Sequence, residues 1–275
     1  MSKYFCLTAL LALSATGAIA QNGTPGSKAT AAINTAVWCT YNSAGSASDT
    51  GVPVVNSCTD LFSGAKVTPT ADNFIPIMDA TIKVSNSQSL FVTPSLVTGL
   101  YTNTAVKTKT SGGTGSSSTA EAIGGVYMRA VLKDSGGNVV AVAYPIADCG
   151  NLDTTPFGCV ADKNGAYGVV LDSRIQTLSQ TLSGCTVSIT GGGTGTCDFD
   201  LTTQLILQTA SAHSFGLIFP NVGVGTYTVE VQAAVNSDAT VTTSGGASGY
   251  AVGASAFGLG SVTVESVRLV HDFSF

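Results

Sequence analysis

Apolar and polar residues alternate with period two through most of this chain, the pattern of strands with one buried face. Thr81-Ile82-Lys83-Val84-Ser85 is a short example. Val126, Met128, Ala130 and Leu132 alternate with Tyr127, Arg129, Val131 and Lys133. Asp134-Ser135-Gly136-Gly137-Asn138 then supplies turn residues that tolerate positive φ, and Val139–Tyr144 returns, which predicts a β-hairpin. A second hairpin is predicted where Cys185–Thr190 meets Gly191–Gly195 and Asp198–Gln208 leads away. Tyr227, Val229, Val231, Ala233 and Val235 face one way, with Thr226, Thr228, Glu230 and Gln232 opposed.

Near the end, Val262 and Val264 share one parity, and Val267 and Leu269 the other. The slip predicts a β-bulge at Glu265-Ser266, because one inserted residue returns side chains to the core face. Only Ser173–Ser183 suggests a helical period, and its Ser and Thr content places it nearer strand. At least eight strands with short turns predict an all-β fold, an antiparallel two-sheet sandwich of jelly-roll-like form.

Within that fold, residues 1–20 read as a signal peptide. Lys3 precedes an apolar run, and Ala18-Ile19-Ala20 forms a small-x-small cleavage site before Gln21. Residues 21–76 are expected to be a flexible lead-in and an irregular, disulfide-bearing N-terminal cap, and residues 77–275 the sandwich. Thr110–Thr119 (TSGGTGSSST) is expected to be an exposed loop tip.

Charge narrows the partners. Lys and Arg number 11 against 16 Asp and Glu, a net charge of -5, and charged residues make up only 10% of the chain. No basic face is available to neutralise phosphates, so nucleic acid is excluded as a partner. No apolar run after residue 20 is long enough for a spanning helix, so no helical membrane anchor is expected.

Six cysteines follow the signal peptide: Cys39, Cys58, Cys149, Cys159, Cys185 and Cys197. An even count in an exported chain predicts a disulfide framework. Fifteen pairings are allowed, and proximity in sequence favours 39–58, 149–159 and 185–197. No C-x-x-C occurs, and neither His213 nor His271 lies near a cysteine pair, which disfavours zinc.

Catalytic signatures are sparse, and no residue is assigned a catalytic role. His213 and His271 share parity with apolar neighbours and read as strand-end histidines. A G-x-S-x-G elbow is absent, since in Gly246-Ala247-Ser248-Gly249 the flanking glycine sits one place early. Among Glu121, Glu230 and Glu265, only Glu265 has an unusual expected setting, at the predicted bulge. Trp38, beside Cys39, is expected to pack on a disulfide rather than form a sugar platform. No cofactor is implied, apart from calcium as a candidate. Asp148, Asn151, Asp153, Asp162 and Asn164 cluster around the second cysteine pair. Asp162-Lys163-Asn164-Gly165 opens like a calcium loop, but Ser173 stands where an EF-hand needs Glu.

The stretch HSFGLIFPNVGVGTYTVEVQA from His213 to Ala233, closing with GSVTVESVR from Gly260 to Arg268, resembles the last strands of secreted bacterial jelly-roll-like proteins. The resemblance covers the last quarter of the chain. It implies a sandwich and carries no site residues.

The resulting expectation is a secreted or cell-surface, non-enzymatic sandwich protein, structural or adhesive and able to self-associate. Its expected partner is itself or a surface glycan. The competing reading is a carbohydrate- or ligand-binding module, calcium-assisted. A carbohydrate-active enzyme and an outer-membrane barrel come behind both.

Overall fold

The computed structural model describes residues 28–67, 74–145 and 168–268. Residues 1–20, read as a signal peptide, the expected Cys149–Cys159 pair, the five candidate calcium ligands and His271 lie outside the described residues.

The described chain forms thirteen strands. They are β1 (Ala29–Gly45), β2 (Lys66–Val67), β3 (Ile75–Val84), β4 (Gln88–Lys109), β5 (Ser116–Lys133), β6 (Val139–Val142), β7 (Val169–Leu182), β8 (Thr186–Ile189), β9 (Gly193–Thr196), β10 (Asp200–Ser214), β11 (Leu217–Val222), β12 (Gly225–Ser244) and β13 (Ser248–Val267). Two four-residue helices, α1 (Ala47–Thr50) and α2 (Cys58–Leu61), sit between β1 and β2.

Two sheets pack face to face as a sandwich. Sheet A runs β10-β4-β13-β1-β2, with β11 continuing along the β10 side of β4. Sheet B runs β3-β12-β5-β6, with β7 on the β6 side of β5. Every pairing is antiparallel except the short β1–β2 contact. The β8–β9 hairpin stands apart. The Cys39–Cys58 and Cys185–Cys197 disulfides are formed.

The β5–β6 turn follows the sequence pattern. The Asp134 carboxylate accepts from the backbone of Gly136 and Asn138, each at 2.9 Å. Hydrogen bonds from Asn138, backbone first, hold that carboxyl below its usual range.

The core has two characters. At one end Ile82, Leu90, Leu96, Met128, Phe219 and Phe257 fill the space between sheets. At the other, Ala120, Ala122 and Gly124 of β5 face Ala251 and Gly253 of β13, and the sheets close almost backbone to backbone. A Cβ on Gly124 would lie 2.9 Å from the carbonyl oxygen of Ala254. Ser116 and Ser118 are buried in this thin end, 4% and 1% exposed. Residues 116–119 are therefore strand, and the expected loop over Thr110–Thr119 shrinks to the turn before Ser116. Small hydroxyl side chains suit a gap too narrow for larger ones.

Three further expectations change. Ala29–Gly45 is no irregular lead-in or cap: it is a seventeen-residue strand pairing with β13 inside sheet A. Its alternation was masked by small residues. Residues 46–65 do form a cap, over the outer face of sheet A, where Val52, Val55, Leu61 and Phe62 cover Tyr101, Val252 and Ala254. Cys39–Cys58 ties this cap to β1. Trp38 points the other way from Cys39 and stacks on Phe257, 5.4 Å between ring centroids, because neighbouring strand residues face opposite sides. The bulge lies at Leu259-Gly260, between Gly258 and Ser261, where Leu259 takes φ 46°. It moves the inward face from Phe257 to Val262, while Glu265 and Ser266 stay in unbroken register with Phe91 and Leu90.

Candidate functional site

The feature that departs most from an ordinary sandwich is the seam between β7 of sheet B and β4 and β10 of sheet A. Leu96, Leu100 and Val106 of β4 face inward, and Thr98, Thr102, Thr104 and Thr108 share their parity. These threonines are 0% exposed. Hydroxyls so placed need partners. Those of Thr98, Thr102 and Thr104 come from the inward residues of β7, Asp172 and Gln176, while Thr108 Oγ1 is buried without one.

Gln176 is the centre of this network. Thr102 Oγ1 donates to its Oε1 at 2.8 Å, and its Nε2 donates to Thr104 Oγ1 at 2.8 Å and to the Leu205 carbonyl oxygen at 2.7 Å. One amide therefore ties both sheets and the edge strand β10 together. Arg174 adds a bond to Thr209 Oγ1 at 2.8 Å.

At one end of the seam Thr98 Oγ1 donates to Asp172 Oδ2 at 2.7 Å. The same oxygen lies 3.5 Å from His213 Nε2, and Ser211 Oγ lies 2.7 Å from that nitrogen. Serine, histidine and aspartate thus meet, but not as a charge-oriented nucleophile. That arrangement needs the carboxylate on one imidazole nitrogen and the hydroxyl on the other. Here both address Nε2, so Asp172 cannot hold the ring in the tautomer that would accept a proton from Ser211. The cluster joins β7 to β10.

Beyond the cluster the seam opens. β7 packs beneath β4 rather than beneath β10, so β10 overhangs. Leu201, Leu205, Ile206 and Leu207 are 49%, 41%, 49% and 42% exposed. Its hydrogen-bonding parity is fixed at both ends of an unbroken register. Thr110 N donates to Phe199 O, and Phe215 N donates to Pro94 O. Odd-numbered residues of β10 therefore bond to β4, and the backbone groups of Thr202, Gln204, Ile206, Gln208, Ala210 and Ala212 point to the open edge. Among the described residues, no strand pairs on that side.

The residues singled out in the sequence fall elsewhere. His213 is the exception: it sits at the end of β10, within the seam. Glu265 lies on the outer face of sheet A in a shallow depression with Phe91, Thr93, Thr263 and Val267. Glu230 is buried in a chain of bonds on sheet B. Arg129 Nε donates to Gln232 Oε1 at 2.6 Å, Gln232 Nε2 to Glu230 Oε1 at 2.6 Å, and Lys133 Nζ to Glu230 Oε2 at 2.5 Å. Both oxygens of Glu230 are thus engaged. Ser248 donates to the Asp49 carbonyl oxygen beside the β12–β13 turn. Among the described residues, no group of three His, Cys, Asp or Glu is placed to hold a metal ion. No helix of the described residues is long and apolar enough to cross a membrane.

Asp172, Gln176, Thr98 and Ser211 had not been singled out. Their signal is polar residues in core phase: Thr98, Thr102, Thr104 and Thr108 on the parity of Leu96 and Leu100. No known protein family matches the chain, and no curated protein shows significant similarity to it.

Proposed function

We propose that this chain is a secreted or cell-surface, non-enzymatic sandwich protein that serves a structural or adhesive role by associating with copies of itself. The observation that carries this reading is β10, a fifteen-residue edge strand with exposed leucines and an open row of backbone groups. Native sheets blunt such edges, because an unprotected one templates pairing with another chain. The two disulfides fit an oxidising compartment, and the weak net charge adds little repulsion between copies. Light scattering of the chain lacking residues 1–20, over a wide concentration range, tests the reading. Mass should grow with concentration, and a constant monomer mass would remove it.

The depression at Glu265 supports a second reading, a glycan-binding surface. Phe91 offers an apolar ring, and Thr93, Thr263 and Glu265 offer hydrogen-bonding groups around it. Calorimetry against a glycan panel, with and without calcium, tests this reading. Binding lost on Phe91→Ala supports it, and flat traces throughout dismiss it.

A further inference from the structure

We propose that the self-association is a two-fold, antiparallel pairing of β10 with β10 of a second copy, centred on Leu207. The inference rests on the self-association reading and adds the interface to it.

The other edges of the two sheets carry devices that discourage pairing. β2 is two residues long and covers β1 only at Trp38 and Cys39, while the rest of β1 is interrupted by a register break between Asn34 and Val37. β6 is four residues long. β3 carries Pro76, Lys83 and a register break opposite Val231-Gln232. β7 carries Asp172, Arg174 and a register break opposite Val126-Tyr127. β11 carries Pro220 and its own break after Phe219. β10 has none of these: its register with β4 runs unbroken from Asp200 to Ser214, without Pro, Lys or Arg.

A second copy is the occupant that the strand itself specifies. Full antiparallel overlap of residues 200–214 sets Leu207 opposite Leu207 of the other copy. Ile206 then faces Gln208, Gln204 faces Ala210, and Thr202 faces Ala212, so the edge-pointing residues of one copy meet those of the other. Six facing pairs exchange about a dozen backbone hydrogen bonds. Leu205, Ile206 and Leu207 gather at the two-fold axis. The one carboxylate, Asp200, falls opposite Ser214, at the far end from its own counterpart, so like charges do not meet. The two A sheets would become one continuous sheet.

The parity of β10 supplies the test. Leu207 bonds to β4, so across the two-fold it forms a non-hydrogen-bonded pair with Cα atoms about 4.5 Å apart, within disulfide reach. Leu207→Cys should trap a covalent dimer on oxidation. Thr203→Cys should not, because its opposite residue is Ser211. Gln208→Pro removes an edge-pointing N–H and leaves the β4 ladder intact, and Ile206→Lys puts a charge near the axis. Each should leave a folded monomer by circular dichroism and sedimentation. If the parent chain assembles but both variants still assemble, and Leu207→Cys gives no trapped dimer, the β10 pairing is overturned and self-association stands by another surface. If the parent chain stays monomeric at every concentration, both fall.

Discussion

The carbonyl oxygen of Ile123 occupies the space that a side chain on Gly253 would need. The Asp238 carbonyl oxygen crowds the same point. Backbone from sheet B therefore sits directly on backbone of sheet A, and neither oxygen can rotate away. Gly253→Ala should destabilise by about 1–3 kcal/mol, the usual cost of overpacking a tight core. A thermal melt checks this, with a loss of several degrees expected; an unchanged melt would show that the thin end of the sandwich can yield.

The two disulfides should differ in importance. Cys39 and Cys58 are buried and pin the 46–65 cap to β1 of sheet A. Replacing both with Ala should cost about 3 kcal/mol from a loop of this length. Cys185–Cys197 closes the exposed β8–β9 hairpin. Its removal should loosen that hairpin while leaving the global transition nearly in place. Paired urea titrations of the two double variants check the order.

Gln176→Ala strips three bonds from the seam at once. Thr102 and Thr104 stay fully buried, and unpaired buried groups are costly. The expected loss is on the order of 2–3 kcal/mol by chemical denaturation, with faster amide exchange in β7 and β10 than in β12.

Alkaline pH should unfold the sandwich through its tyrosines. Burial raises the phenols of Tyr101, Tyr127 and Tyr250 above 10.0, partly offset by hydrogen bonds involving Asn103, Asn236 and the Val55 backbone respectively. A folded-state value raised above the unfolded one contributes stability that is intact below about pH 10 and lost as pH rises through the folded value. Phenolate absorbance followed with circular dichroism should show these tyrosines ionising late, together with loss of sheet signal. Early ionisation without unfolding would contradict this.

The sandwich was legible because parts of its large-residue half alternate, as in Thr81–Ser85 and Tyr227–Ala233. The hairpin at Asp134–Asn138 was legible from turn chemistry, and two cysteine pairs from proximity. β1 was not, because Ala, Thr and Asn on both faces give no hydrophobic contrast. The bulge expected from the parity change between Val264 and Val267 is not there, since those residues share one unbroken register with β4; the slip lies earlier, at Leu259-Gly260, where two small or exposed positions leave no parity signal. In the seam, the parity of Leu96 and Leu100 puts Thr102 in core phase, but nothing in either strand alone pairs it with Gln176. That pairing follows from how β4 and β7 face one another across the sheets, a long-range relation that local pattern does not encode.

Amide exchange resolved along β10 tests the central claim most directly, read at low and high protein concentration. The odd-numbered amides, which bond to β4, should be protected at both. Those of Thr202, Gln204, Ile206, Gln208, Ala210 and Ala212 should exchange freely when dilute and become protected when concentrated. Free exchange of these six amides at every concentration, in a sample that assembles or one that does not, would contradict pairing through this edge.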